Sequence, residues 1–147
     1  MLFRSEDFLK WSIDCCHALN SNMLCGPFHQ PLGQFSGNPP TIIEKERGAK
    51  VHQHSADYAQ KFGINLCIEP LNRFECYFLN TIEDTCNYID IVKRENFKML
   101  YDTFHSNIEE KDPVGSIEKA SKYIGHIHIS ENDRGIPGTG NIPWKDT

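Results

Sequence analysis

Apolar residues occur along this chain in two arrangements that alternate. Short, mainly apolar runs occupy residues 23–28, 64–69, 97–102 and 125–130. Before and between these runs, apolar residues recur near every third or fourth position, which is the spacing of one helix face. We therefore predict four strands that alternate with helices over residues 5–19, 41–62, 81–92 and 112–124. Such alternation implies βα units and a parallel sheet.

Polar residues mark the beginnings of the predicted helices. The expected N-caps are Ser5, Thr41, Thr81 and Asp112. Glu44 completes a TxxE capping box with Thr41, and Pro113 occupies the first helical position after Asp112. Gly63 is suited to the left-handed conformation that ends a helix. The segment TFHSNIEEK after the third strand is predicted to be a loop.

A metal-type side chain closes three of the four apolar runs. Glu69, Asp102 and His128 each follow such a run, about one βα unit apart. In a (β/α)8 barrel, the strands deliver their C-terminal residues to one face, so ligands distant in sequence converge. Two carboxylates and one imidazole suit Mn2+, Mg2+, Co2+ or Zn2+ and disfavour a thiolate site. The sequence thus predicts one ion site.

The number of strands limits the fold. A closed barrel of this type needs eight strands and about 250 residues, whereas this chain has 147 residues. The predicted fold class is α/β: residues 1–147 form a partial (β/α)8 barrel domain of about four βα units, truncated at both ends. The alternative is a half-barrel whose open edges pair with something else.

Composition and charge exclude several classes of protein. The chain is 39% hydrophobic, and its net charge of -5 with a pI near 5.8 argues against a nucleic-acid surface. No apolar run reaches the roughly 18 residues of a membrane span, and the start lacks a signal-peptide pattern. The six cysteines form no CxxC pair and are expected to be reduced. We expect a cytoplasmic protein without nucleic-acid or membrane partners.

Three segments resemble the D-tagatose/D-psicose 3-epimerase group of the sugar isomerase/epimerase superfamily, whose fold is the xylose isomerase-like barrel. They are INLCIEPLNRFECYFLNT, LYDTFHSNIEE and GHIHISENDRGIPGTGNIPW. The resemblance implies that Glu69 is both a metal ligand and an acid/base, and that Asp102 and His128 are further ligands. It also implies sugar contacts by Glu75, His105 and Arg134. The group's second acid/base glutamate, on its last strand, has no counterpart here.

The resemblance also implies the cofactor and partners. It indicates a divalent metal, Mn2+ first and Mg2+ or Co2+ as alternatives, a free keto-sugar substrate and a homo-oligomer. Epimerisation at C3 removes a proton next to the C2 carbonyl and leaves a cis-enediolate. A divalent ion can stabilise that charge, and a carboxylate near it can take the proton. His105 can donate to a substrate oxygen, and Arg134 can hold an oxygen near the carbonyl.

Other histidines have simpler interpretations. His126 shares a strand face with His128 and is the alternative ligand, although the motif favours His128. His52 and His54 are predicted to be surface residues of a helix, so that alanine at position 52 would have no effect. His29 begins a loop on the functional face, where a role beside the substrate and plain loop packing both stay open.

The remaining features are expected to be structural. Trp11 and Trp144 are predicted to pack, and RGIPGTGNIP is predicted to be a shaped active-site loop without a phosphate-binding pattern. If this chain supplied its own second acid, Glu131 or Glu75 would be the first candidate.

Three functional hypotheses follow. The leading one is a metal-dependent ketose 3-epimerase or a closely related sugar isomerase. The second is another enzyme of the same superfamily, of the hydroxypyruvate isomerase or inosose dehydratase type; zinc apurinic endonucleases are disfavoured by the net charge and the few histidine ligands. The third is a catalytically dead fragment.

Overall fold

Parallel strands and helices alternate through the computed structural model, which describes residues 2–145, with side chains from residue 5 onward. The elements are α1 Leu2–Ala18, β1 Met23–Gly26, α2 Ile42–Gln60, β2 Asn65–Ile68, α3 Ile82–Val92, β3 Phe97–Asp102, α4 Thr103–Glu109, α5 Pro113–Ala120 and β4 Ile124–His128. The four strands form one parallel sheet in the order β1-β2-β3-β4. The predicted α/β half-barrel is confirmed.

Three of the predicted helix starts are confirmed. The Thr41 hydroxyl accepts from the Glu44 amide, and the Glu44 carboxylate accepts from the Thr41 amide, which is the predicted capping box. The side chains of Thr81 and Asp112 accept from the amides of Asp84 and Gly115 and so cap α3 and α5. Gly63 has a φ of 67°, so it takes the left-handed conformation expected after α2.

Two local predictions were wrong. Helix α1 already begins at Leu2, so Ser5 lies inside it and is not its cap. The segment after β3 is not a loop but helix α4, whose N-cap is Asp102; the Asp102 carboxylate accepts from the Phe104 amide at 2.8 Å. A helix this short has too few turns to show an apolar period, and its N-cap, Asp102, is also the last residue of β3, as predicted.

The two faces of the sheet have different roles. Alternate strand residues such as Leu66, Ile68, Phe97 and Met99 are buried in the core, together with helix residues such as Ala56 and Tyr88. Because side chains alternate along a strand, Glu69 and Asp102 project from the opposite face. The helices therefore cover one side of the sheet and leave its other side to the ionisable strand ends.

An irregularity in β4 sets the position of His128. Met99 pairs with Ile124 but Leu100 pairs with His126, so Gly125 is an extra residue in β4. A Cβ atom at Gly125 would lie 2.7 Å from the Lys98 Cβ, so a side chain there would clash. After this bulge, Asp102 and His128 are direct partners across the strands.

His52 is buried, which contradicts the prediction that it is a surface residue. Only 3% of it is exposed, the Tyr88 hydroxyl donates to its Nδ1 at 2.6 Å, and its ring stacks on Phe97. It lies on the same face of α2 as Ala49 and Ala56, whose small side chains leave room for the imidazole. His54 is exposed as predicted.

Trp11 also differs from the prediction. Its side chain is exposed and contacts the ring of Phe8 on the same helix, with 5.7 Å between the ring centroids.

Among residues 2–145, no helix combines the length and the apolar character that crossing a membrane requires.

Candidate metal and substrate site

Glu69 lies directly after β2, at the carboxyl edge of the sheet. Its backbone amide donates to the Gly26 carbonyl at 3.0 Å, which extends the pairing of β1 with β2 by one residue. The side chain is nearly buried, at 10% exposure, and faces the ends of β3 and β4. A carboxylate in this position is fixed by the strand and not by a flexible loop.

Asp102 and His128 meet Glu69 at this edge. The Nδ1 atom of His128 lies 3.7 Å from Glu69 Oε1 and 3.6 Å from Asp102 Oδ2. These separations exceed a normal N–H···O hydrogen bond. Donor atoms around one ion with bonds of about 2.1 Å lie roughly 3 Å apart, so a small inward movement would bring the three atoms to a shared cation.

The charges at this edge also suit a cation. Burial and the neighbouring Asp102 carboxylate raise the pKa of Glu69 to about 7. Two acids this close resist full ionisation because each charge raises the free energy of the other. A divalent cation would relieve that repulsion, so the residues present fit the predicted metal.

His105 is a second imidazole within reach of the carboxylates. Ligand atoms of Glu69, Asp102 and His105 all lie within 4.8 Å of one another. However, the backbone amide of Asn72 donates to His105 Nδ1 at 3.0 Å, so the lone pair of a neutral ring is on Nδ1. The proton is then on Nε2, which lies 3.9 Å from Glu69 Oε1. A protonated nitrogen cannot bind a metal, so His105 is arranged as a hydrogen-bond donor.

Asn72 connects this donor to the rim of the site, and sequence reasoning missed it. Its side-chain amide donates to His105 Nδ1 at 3.0 Å and to Glu75 Oε1 at 2.9 Å, and its oxygen accepts from the Phe74 amide. If the side-chain amide were flipped, its oxygen would face the acceptors His105 Nδ1 and Glu75 Oε1. Only the orientation described here satisfies all partners. Its place between Pro70 and Glu75, just beyond a strand end, was the available signal.

Arg134 closes the rim on the other side. Its guanidinium donates to Glu75 Oε1 at 2.7 Å and lies 3.9 Å from the ring centroid of Phe104. The Glu75–Arg134 pair therefore stands beside the His105 donor, although it lies outside the cluster of potential ligand atoms. Burial alone would raise the pKa of Glu75, but its hydrogen bonds with Arg134 and Asn72 lower it below the ordinary value.

The other candidate residues are placed as follows. His29 Nε2 donates to the backbone carbonyl of Glu69 at 3.0 Å, so His29 holds the backbone of a site residue. His126 packs its ring against His128, with 5.2 Å between centroids. Glu131 is fully enclosed and accepts from the Trp144 indole and from backbone amides, so it is not a free acid facing the site.

Ionisable side chains gathered at the carboxyl ends of parallel strands are the arrangement found at the active sites of (β/α)8 barrels. Residues 4–147 match the model of the xylose isomerase-like TIM barrel family, and the chain belongs to this family. A probable ketose 3-epimerase of Synechocystis sp. is 36% identical over 137 residues, which are 93% of this chain and 48% of that protein. The D-psicose 3-epimerase of Ruminiclostridium cellulolyticum is 41% identical over 99 residues, which are 67% and 34% of the two chains.

A solved structure agrees closely with this fold. The crystal structure of D-allulose 3-epimerase from Methylomonas sp. in complex with D-allulose matches with a TM-score of 0.91 and 33% identity. The match covers 97% of this chain and 49% of that one. This chain spans about half the length of such relatives.

Proposed function

We propose that this chain serves in a metal-dependent ketose 3-epimerase. The observation that carries the proposal is the placement of His128 Nδ1 between the carboxylates of Glu69 and Asp102, with Arg134 and Glu75 at the rim. The similarity to proteins named as ketose, D-psicose and L-ribulose 3-epimerases supports the same reaction class.

In this proposal, Glu69, Asp102 and His128 hold a divalent cation, Mn2+ first and Mg2+ or Co2+ as alternatives. When bound, such an ion supplies Lewis-acid stabilisation of negative charge on substrate oxygens. Glu69 takes the proton from C3 of the keto-sugar, for which a buried carboxylate at a strand end is well placed. The Nε2 proton of His105 is donated to a sugar oxygen, while Arg134 and Glu75 orient the hydroxyls and carbonyl.

The exclusion of wrong sugars follows from the same groups. Glu75 accepts hydrogen bonds, whereas Arg134 and His105 donate them, so each fits a particular hydroxyl direction. A sugar with the wrong stereochemistry would leave a partly buried donor without a partner, which disfavours its binding.

Two wider features belong to the proposal. The six cysteines are all free thiols in the structure, which suits a reducing compartment such as the cytoplasm. Exposed apolar side chains on α1 and beside the site, including Phe8, Trp11 and Phe74, suit a homo-oligomer, for which the test is the mass in solution.

The test uses exchange at C3, because exchange needs only one base. The purified chain is incubated in D2O with Mn2+ and D-fructose, D-psicose or D-tagatose, and loss of the C3 proton signal is followed by NMR. We expect exchange that Glu69→Gln reduces by about 100-fold or more, the usual contribution of a positioned base. Glu118→Gln, which changes an exposed acid on α5, is the matched control.

Metal binding is measured separately by titration with Mn2+. Asp102→Asn and Glu69→Gln are expected to weaken Mn2+ binding, whereas Glu118→Gln is not. An unchanged rate of C3 exchange in Glu69→Gln would contradict the proposal, and so would an Mn2+ affinity that neither site substitution changes.

A further inference from the structure

The segment from Asn132 to Trp144 wraps around one carboxylate. Glu131 Oε1 accepts from the Gly138 amide at 2.7 Å and from the Trp144 indole, and Oε2 accepts from the Ile142 amide at 3.2 Å and the Asn132 amide at 3.3 Å. A carboxylate has about four lone-pair positions, and these donors use all of them. Every donor comes from the segment itself.

Glu131 has no cationic partner among the ion pairs of the described residues, and its side chain is completely enclosed. A buried, unpaired carboxylate is costly unless hydrogen bonds replace its hydration. Although burial would raise its pKa, the bonds from Trp144, Gly138, Ile142 and Asn132 hold the pKa at about 2. The carboxylate therefore stays charged and keeps its four acceptor positions.

The segment packs so closely around Glu131 that position 140 requires a glycine. A Cβ atom at Gly140 would lie 2.4 Å from Glu131 Oε2 and 2.3 Å from the side-chain oxygen of Asn132. The same Asn132 oxygen accepts from the Asn141 amide at 2.9 Å, so this close contact also holds the backbone at Asn141. No larger residue fits without moving the chain away from Glu131.

The same residue also holds the backbone that carries Arg134. The Arg134 amide donates to the Glu131 carbonyl at 2.9 Å, and the Glu131 amide donates to the Gly135 carbonyl at 3.2 Å. Arg134 has a φ of 62°, a left-handed conformation that a non-glycine residue keeps only when its surroundings enforce it. Its guanidinium then reaches Glu75 and the ring of Phe104.

We propose that Glu131 is a positioning residue: it acts as the internal anchor of residues 132–144 and thereby holds the Arg134 guanidinium against Glu75 and Phe104. Glu131 neither touches the substrate nor transfers a proton, because both its oxygens are occupied. The anchoring stands on these contacts alone, whereas its effect on sugar binding rests on the proposed function.

The principal test is Glu131→Gln, which keeps the shape but replaces one acceptor oxygen by a donor. The chain has two tryptophans, and Trp11 is exposed, so a Trp11→Phe background leaves Trp144 as the only tryptophan that selective excitation would report. We expect Glu131→Gln to shift the Trp144 emission to longer wavelength. We also expect hydrogen exchange at the Gly138 and Ile142 amides to accelerate by about tenfold or more, the effect of losing one such bond.

Two measurements separate this effect from general unfolding. The Leu66 and Met99 amides, which bond to Asn96 and Tyr123, are expected to keep their protection in Glu131→Gln. In Glu118→Gln, the matched control, every signal should stay as in the parent. Should Glu131→Gln fail to fold, Trp144→Phe removes a single donor and should accelerate exchange at Gly138 to a smaller extent.

The position of Arg134 has its own spectroscopic signature. The Phe104 ring should shift the Arg134 side-chain protons upfield in NMR spectra, as assigned with Arg134→Lys. Glu131→Gln is expected to abolish this shift. A preserved shift, or unchanged protection at Gly138 and Ile142, overturns the proposal whether or not the chain acts on sugars.

The functional arm is a double-mutant comparison of C3 exchange. Glu131→Gln should raise the KM for the keto-sugar by about tenfold, and adding it to Arg134→Ala should raise KM no further, because both remove the same contact. Additive effects would show that Glu131 acts other than through Arg134. A wild-type chain without any exchange would count against the proposed function, while the fluorescence and NMR results would still decide the anchoring role.

Discussion

Replacing the buried His52 by alanine is expected to destabilise the fold strongly. The imidazole stacks on Phe97 and meets the edges of Phe28 and Tyr88, so removing it leaves a cavity in the aromatic core, at a cost of roughly 2 kcal/mol or more. Among the described contacts, the Tyr88 hydroxyl would lose its only acceptor while completely buried, which costs about 1–3 kcal/mol. We expect a total of about 3–5 kcal/mol, a large part of the stability of a small domain.

The measurement is urea denaturation followed by circular dichroism, with His54→Ala as the control. His54 is on the same helix, but its side chain is 62% exposed and contacts only Glu6 among the contacts that the structure describes. We expect its substitution to change the free energy of unfolding by less than about 0.5 kcal/mol. Equal denaturation midpoints for the two variants would show that His52 is not a core residue.

The pH dependence of stability gives an independent result. Burial lowers the pKa of His52 to about 4, with a smaller contribution from His29, whereas an unfolded histidine titrates near 6.5. Below pH 6.5, the unfolded chain therefore binds a proton at His52 that the folded chain does not bind. The stabilisation from neutral His52 is complete above pH 6.5 and is lost as the pH falls towards 4. The loss corresponds to about 3 kcal/mol.

Burial also lowers the pKa of His29 to about 4, so a double variant is needed to separate the contribution of His52 from that of His29. His52→Phe combined with Tyr88→Phe replaces both hydrogen-bond partners by apolar rings, a change that can be nearly neutral at pH 8. The variant should lose about 3 kcal/mol less than wild type between pH 8 and pH 4. Parallel stability profiles for the two proteins would refute the assignment of a neutral, buried His52.

Three further substitutions test other contacts. Asn72→Asp should weaken binding of the keto-sugar and change the imidazole 15N signals of His105 in NMR spectra, because a carboxylate would replace the amide that donates to this ring. Gly140→Ala should cost about 1–3 kcal/mol in urea denaturation, since the added methyl group would collide with Glu131. Thr41→Ala should cost about 1 kcal/mol in the same assay through loss of the capping box.

The features that sequence predicted correctly are those set by local rules and topology. Caps such as Thr41 and Thr81 act within one turn of their helix, so neighbouring residues suffice to identify them. Parallel strands place their carboxyl ends at one edge, which is why Glu69, Asp102 and His128 could be expected together without knowledge of any contact. The order of the strands follows from the same short βα connections.

The burial of His52 could not be read from residue type, but a signal was present. His52 lies three residues after Ala49 and four before Ala56, on one helix face, whereas His54 lies off this stripe. A stripe of alanines on a helix leaves space that a larger side chain from the same face can fill. The imidazole filled that space because Tyr88, from a helix far along the chain, supplied the hydrogen bond that burial requires.

His105 and His128 show where sequence reasoning reaches its limit. Both follow strands and both lie within reach of Glu69, so residue type and spacing cannot decide which one binds an ion. What distinguishes the two histidines is the set of contacts that their ring nitrogens make. At His105, Nδ1 accepts from the Asn72 backbone amide, which leaves a proton on the nitrogen facing the carboxylates. At His128 the described contacts of Nδ1 are with carboxylates alone, so its lone pair is available to a cation. In the proposed function, two identical side chains therefore take opposite roles, donor and ligand, because in the folded chain both amide groups of Asn72 donate to His105 Nδ1.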